Sequence, residues 1–186
     1  MRPAAYNEAC RTKGGWYHTD QIGLVKPADC CFQGLINLLD CTMLHAPGLV
    51  VCPGSHKKFN EFFDKYPDVG KHGFSLKGDF ISIKGQYLSD FFEAKPIKLC
   101  LPSGSLVIWN SKTIHCSAPS SLPRISQPPT RGWTLDRLCG YVCMSPRPKN
   151  AKQLQQLLTA RINGTLIFLT LMDYPNSTYF LECGWV

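Results

Sequence analysis

No run of apolar residues in this sequence approaches the ~18 that a membrane-crossing helix needs. The longest candidate, Leu166-Ile-Phe-Leu-Thr-Leu-Met172, is far shorter. The opening residues Met1-Arg-Pro-Ala-Ala-Tyr-Asn7 lack the apolar core of a secretory leader. A cytoplasmic location without membrane partners is therefore expected. There is no C-x-x-C, and no pair of Cys or His knuckles at zinc-ribbon spacing, which removes the usual structural zinc modules. The ten cysteines, at positions 10, 30, 31, 41, 52, 100, 116, 139, 143 and 183, mostly sit in apolar runs. They are expected to be reduced thiols acting as small hydrophobes rather than a disulfide framework. The sequons at Asn163 and Asn176 are then expected to be idle.

Charge is sparse. Charged residues make up 18% of the chain, and 20 basic residues against 13 acidic give a net +7. The positive charge forms no dense run. Its richest stretch, from Arg124 to Arg161, is broken by prolines, so nucleic-acid binding is not expected and an anionic small molecule fits as well. At 186 residues and 44% hydrophobic content, the chain has the size and the apolar material for one domain with a core. We read residues 1–186 as a single domain.

The elements read mainly as β-strands joined by Gly and Pro turns. Strands are expected at Cys31–Leu39, Gly48–Cys52, Ile97–Leu101, Ser105–Trp109, Thr113–Cys116 and Arg137–Met144. Ser55 is expected to cap a helix whose Phe59, Phe62, Phe63 and Tyr66 follow helical spacing and pack as core. Residues 67–85 and 117–136 read as loops, Leu88, Phe91 and Phe92 as a short helical turn, and Asn150 as the cap of a helix that turns Leu154, Leu157 and Leu158 inward. This inventory predicts a mainly β sandwich or jelly roll with a few flanking helices.

Three features carry chemistry. On extended backbone His18 and Asp20 point to one face, presenting an imidazole and a carboxylate together. His115 follows 97 residues later on another strand signal. Two imidazoles and one carboxylate are the donor set of non-haem Fe(II) oxygenases, which leaves positions open for a cosubstrate and dioxygen. Arg137 opens a strand, and its guanidinium fork suits a carboxylate such as the far end of 2-oxoglutarate.

The order His18-Thr-Asp20, Gln33-Gly34, Pro53-Gly-Ser-His56, Pro102-Ser-Gly-Ser-Leu-Val-Ile-Trp109 and Ser111-Lys-Thr-Ile-His115 resembles the phytanoyl-CoA dioxygenase family over roughly residues 14–160. The resemblance implies a double-stranded β-helix with Fe(II) on His18, Asp20 and His115. It implies 2-oxoglutarate as cosubstrate, consumed with dioxygen to succinate and CO2 as a small organic substrate is hydroxylated. Relatives that halogenate replace the carboxylate, so Asp20 implies hydroxylation. Arg137 takes the place of the family's cosubstrate arginine, with Arg124 and Arg131 as rivals. Gln33 is expected to face the barrel interior and meet cosubstrate or substrate. His56 is expected at a rim, His45 and His72 at the surface, Cys116 on the face opposite His115, and Trp109 in the core with its N–H satisfied or on the pocket wall. Relatives have a longer region before the H-x-D motif, so a chain shortened at its N-terminus is expected, and residues 164–186 form a divergent tail. The alternative is a non-catalytic β-barrel binding module of the same fold.

Overall fold

The computed structural model describes residues 13–21, 31–72, 80–121, 137–146, 151–152, 155, 159, 170–172 and 180–182. Its strands are β1 (His18–Thr19), β2 (Phe32–Asn37), β3 (Gly48–Val51), β4 (Ile81–Ser82), β5 (Ile97–Lys98), β6 (Leu106–Asn110), β7 (His115–Ala118), β8 (Cys139–Pro146), β9 (Thr170–Met172) and β10 (Phe180–Glu182). Among the described residues the short helices α1 (Phe59–Lys65), α2 (Pro67–His72) and α3 (Gly85–Asp90) accompany them. The protein is thus mainly β, as its turn chemistry predicts.

The strands form two sheets. One runs β4-β1-β7-β3-β5, and the other runs β10-β8-β2-β6 with β9 added beside β8. All pairings are antiparallel except β8 with β9. Neighbours within a sheet are distant in sequence, so each sheet closes only when remote segments meet.

The two faces of the first sheet differ in cover. Its inner face meets the second sheet through Leu49 and Val51, which pack with Leu35, Val107, Trp109 and Tyr141. Its outer side meets α1 and α3, where Phe59, Phe62, Phe63, Leu88, Phe91 and Phe92 close over Cys52, Ile81, Ile83 and Ile114. β6 shows the period of two that makes such layers. Leu106 and Ile108 are 58% and 55% exposed, whereas Trp109 between the sheets is 8% exposed.

Local departures have local causes. Ser55 does not cap α1. Its hydroxyl donates to the Cys52 carbonyl (2.7 Å) and accepts the Ile114 N–H (2.9 Å), tying the Pro53-Gly54 turn to β7. A 3-10 turn over Ser55–Lys58 intervenes, and α1 begins at Phe59 without a side-chain cap. Gly54 takes φ +81°, the left-handed conformation such a turn favours glycine for. Residues 67–85 are not all loop. Pro67 starts α2, where a missing N–H costs nothing, and Asp68 lies in its first turn. Residues 73–79 lie outside the described set, as do 122–136, the rival arginines Arg124 and Arg131, Asn150 and the three leucines of the later helix. That helix is seen at residues 151, 152, 155 and 159.

Gly34 explains the Q-G pair. A Cβ there would stand 2.7 Å from the Val107 carbonyl on β6. Gly34→Ala must therefore push β2 and β6 apart, and we expect a loss of about 1–3 kcal/mol in urea unfolding. An unchanged midpoint would show that the sheet yields freely there.

Among the described cysteines none forms a disulfide. Cys41, Cys52 and Cys116 are buried, Cys31 and Cys139 half-buried, and Cys100 exposed. Burial pushes the Cys52 thiol up to about 11, so it stays an inert hydrophobe at neutral pH. Among the described residues no helix is long and apolar enough to cross a membrane.

Candidate metal centre

His18, Asp20 and His115 converge, each offering a ligand atom within 4.8 Å of the others. The register explains how. His18 lies directly across from His115 in the β1–β7 pairing, so both rings leave the same inner face, with centroids 4.3 Å apart. After Thr19 the strand bends. The Asp20 N–H donates to the Ser111 carbonyl (3.1 Å), and the Ser111 hydroxyl donates to Gln21 Oε1 (2.8 Å). These bonds clip the Asp20 bend to the β6–β7 turn and aim the carboxylate back at the two rings. Asp20 Oδ1 is 3.5 Å from His18 Nε2, and Oδ2 is 3.1 Å from His115 Nε2. Donor atoms at right angles around one ion, each about 2.1 Å from it, stand about 3 Å apart. The two carboxylate–imidazole distances are close to that, and all three donors lie within 4.8 Å of one another.

The hydrogen bonds identify which nitrogens are free. His18 Nδ1 donates to the Trp16 carbonyl and His115 Nδ1 to the Thr113 carbonyl, both at 3.0 Å. With Nδ1–H committed, a neutral ring turns an Nε2 lone pair toward the carboxylate. Asp20 Oδ2 is buried and has no hydrogen-bond partner among the described residues, although it is 3.1 Å from His115 Nε2. With both rings neutral the contact sets lone pair against lone pair, which a proton or a metal ion at the shared point makes favourable. Backbone carbonyls behind ligating histidines are the usual support of metal sites. The donor set fits a divalent metal, Fe(II) included, and these three residues can hold one.

Without metal, a proton partly meets the same demand. Burial lowers the His115 pKa, but the hydrogen bond and charge of Asp20, then the Thr113 carbonyl, outweigh it and the net shift is upward. His18 moves the other way, through burial first and then the charge of His115, against the pull of Asp20. A metal must displace the proton held at His115. Because that pKa is raised, competition sets in at a higher pH than for an ordinary histidine near ~6.5. We expect apparent metal affinity to fall roughly tenfold per pH unit on acidification through this range. Calorimetric titration with a divalent metal across that range checks it, and a flat profile would refute the proton's place.

Aromatic rings wall the centre. Trp16 stacks on His18 at 4.1 Å, Phe80 meets His18 edge-on at 5.5 Å, and Trp109 lies 5.2 Å from His115. Trp109 occupies the predicted wall, but its indole Nε1 is buried with no partner among the described residues, contrary to the expected satisfied N–H. Gln33 pairs directly with Trp109 across β2–β6, which sets both on the inner face. Ser117, two residues after His115, shares that interior and was not singled out by sequence reasoning. Tyr141 of β8 packs into the same inter-sheet interior. Burial raises the Tyr141 pKa, while the nearby Arg137 charge pulls it down. Arg137 thus stands half-buried just before β8, beside a tyrosine that packs between the sheets.

The other predicted residues lie elsewhere. His56 is half-buried in the 3-10 turn, and His45 is half-buried rather than at the surface, its carbonyl accepting from Ser120 and Ser121. Cys116 faces away from His115, close to Cys52 and Tyr17. The side chain of His72 lies outside the described set.

No known family model matches the chain, and no solved structure matches it. It is similar to a protein of Aspergillus versicolor named Ava biosynthesis cluster protein O, 30% identical over 140 residues that cover 71% of this chain and 40% of that protein. The chain therefore spans less than half the length of this curated relative.

Proposed function

We propose that the protein is an Fe(II)- and 2-oxoglutarate-dependent dioxygenase that hydroxylates a small organic substrate. The observation that carries this reading is the convergence of two imidazole Nε2 atoms and one carboxylate, with both Nδ1–H groups held by backbone carbonyls. Two imidazoles and a carboxylate leave half of an octahedron free for cosubstrate and dioxygen. The strand order supports a double-stranded β-helix. Successive strands change sheet from β1 to β2 to β3 and from β5 through β6 and β7 to β8, while β3, β4 and β5 stay in one sheet, and this crossing between two sheets favours a jelly roll. The relative's name marks it as a biosynthesis cluster protein, which supports a small-molecule substrate.

Bound Fe(II) would supply the oxidative chemistry, splitting dioxygen between succinate and the hydroxylated product. The chain's own residues set the conditions. The Nδ1–H groups of His18 and His115, held at the Trp16 and Thr113 carbonyls, leave Nε2 as the nitrogen of each ring that is aimed at the shared point. Asp20 adds a negative charge that favours a divalent over a monovalent ion. Arg137, whose charge is felt at Tyr141, offers a cationic end for the distal carboxylate of the cosubstrate. Trp16, Phe80 and Trp109 limit water around the centre.

The test is anaerobic titration of metal-free protein with Fe(II) and 2-oxoglutarate, followed by admission of air. A visible charge-transfer band, then succinate release, is expected. No band would defeat the assignment. A band without succinate release, across a library of small organic substrates, would favour the non-catalytic binding module.

A further inference from the structure

Trp109 presents an unused donor at the heart of the candidate site. It is 8% exposed, stands on the inner face of β6, and reaches across the sheets to within 5.2 Å of the His115 ring. Its ring packs with Leu35 and Leu49, one from each sheet. Its Nε1–H is buried without an acceptor among the described residues. Buried tryptophan N–H groups normally find a partner, because an unmet donor forfeits its hydration for nothing. Phe or Leu would fill the same apolar position without that penalty. Gln33, on the same face and directly across in register, adds an amide beside the indole.

We infer that Trp109 Nε1–H is a ligand-positioning donor, which hydrogen-bonds an oxygen of a carboxylate-bearing molecule seated between the sheets beside His115. The inference rests on the proposed reading of the site and adds to it a residue that orients the ligand relative to the metal face. The acceptor belongs to an oxyanion, either that of the 2-oxo acid or that of an acidic substrate. A hydrogen bond to a charged acceptor is among the stronger ones a neutral donor makes. Losing it should weaken binding roughly ten- to a hundredfold.

The test uses the full chain loaded with Zn(II), which binds like Fe(II) without turnover, and labelled with 15N at the tryptophan indoles. Trp109→Phe keeps an aromatic ring, deletes the N–H and identifies its resonance among the four tryptophans. 2-Oxoglutarate and succinate are titrated separately. We expect the Trp109 indole proton to move downfield with 2-oxoglutarate, and Trp109→Phe to weaken that ligand by the stated factor while leaving Zn(II) affinity unchanged. A shift with succinate, but none with 2-oxoglutarate, would assign the acceptor to a substrate-type carboxylate and still support the donor. Wild-type binding with an unmoved Trp109 resonance, or equal affinity in Trp109→Phe, would overturn this inference and leave the dioxygenase reading intact. If neither acid binds the wild-type protein, the cosubstrate assignment falls and the inference falls with it.

Discussion

Asp20→Ala should abolish metal-dependent stabilisation without weakening the metal-free fold. The carboxylate is the one anionic donor of the centre, and its buried Oδ2 faces His115 Nε2 at 3.1 Å. Removing it deletes the charge that offsets desolvation of a divalent ion, so metal affinity should drop by at least about a hundredfold. Above the raised pKa of His115 the metal-free protein loses little, because the backbone bond from Asp20 to Ser111 survives and the carboxylate then faces only neutral rings. For the wild type, metal at a hundredfold excess over Kd adds about 2.7 kcal/mol. In a domain of this size that raises Tm by roughly 5–10 °C. Scanning calorimetry of both proteins, with and without Fe(II) under anaerobic conditions, reads both effects. The variant should show a flat Tm with metal, an unchanged or slightly higher Tm without it, and no succinate release. A variant that keeps the metal shift would remove Asp20 from the ligand set. A metal-free variant that unfolds several degrees early would make Asp20 structural instead.

That separation of function from stability also marks what the sequence makes legible. His18 and Asp20 can be paired from a period of two, since any extended segment sets i and i+2 on one face. The strands around them follow from alternating or continuous apolar runs, and the stripe Phe59, Phe62, Phe63 is buried as helical spacing requires. The meeting of His18 with His115 is a different matter. It depends on β1 and β7 becoming neighbours in a sheet whose members lie up to 97 residues apart, and local pattern contains no register. The order of motifs pointed to it only through likeness to a family. Short-range competition hid other features. The Ser55 hydroxyl has two acceptable roles, cap or strand tie, and the tertiary partner Ile114 decides between them. α2 is too short, and its Asp68, Gly70 and Lys71 too loop-like, for periodicity to emerge. The unpartnered indole of Trp109 was invisible for a further reason. Sequence places a tryptophan in a core strand, but only the packed neighbours reveal whether its N–H meets an acceptor.

Arg137→Leu should separate cosubstrate capture from metal binding. Arg137 lies half-buried just ahead of β8; burial raises the Tyr141 pKa, and the Arg137 charge pulls against it. Tyr141 packs between the sheets and Ser117, two residues along β7 from His115, faces the same interior, so polar groups of both sheets line a path from the metal point toward β8. A dicarboxylate bridging that path would set one end on the metal and the other on Arg137. Leucine keeps much of the apolar stem while removing the charge and its paired donors, which leaves the distal carboxylate desolvated and unpaired. Such a loss is typically about 2–5 kcal/mol, so 2-oxoglutarate should bind roughly a hundredfold more weakly, with KM rising and Fe(II) affinity unchanged. Pyruvate, a 2-oxo acid with no distal carboxylate, supplies the internal control. Its weak binding should be the same in both proteins, since it never reaches the guanidinium. If Arg137→Leu binds 2-oxoglutarate as the wild type does, the anchoring role passes to Arg124 or Arg131, and the same pair of ligands applied to Arg124→Leu and Arg131→Leu identifies which. If both ligands weaken equally, Arg137 supports the architecture of β8 and does not read the distal carboxylate.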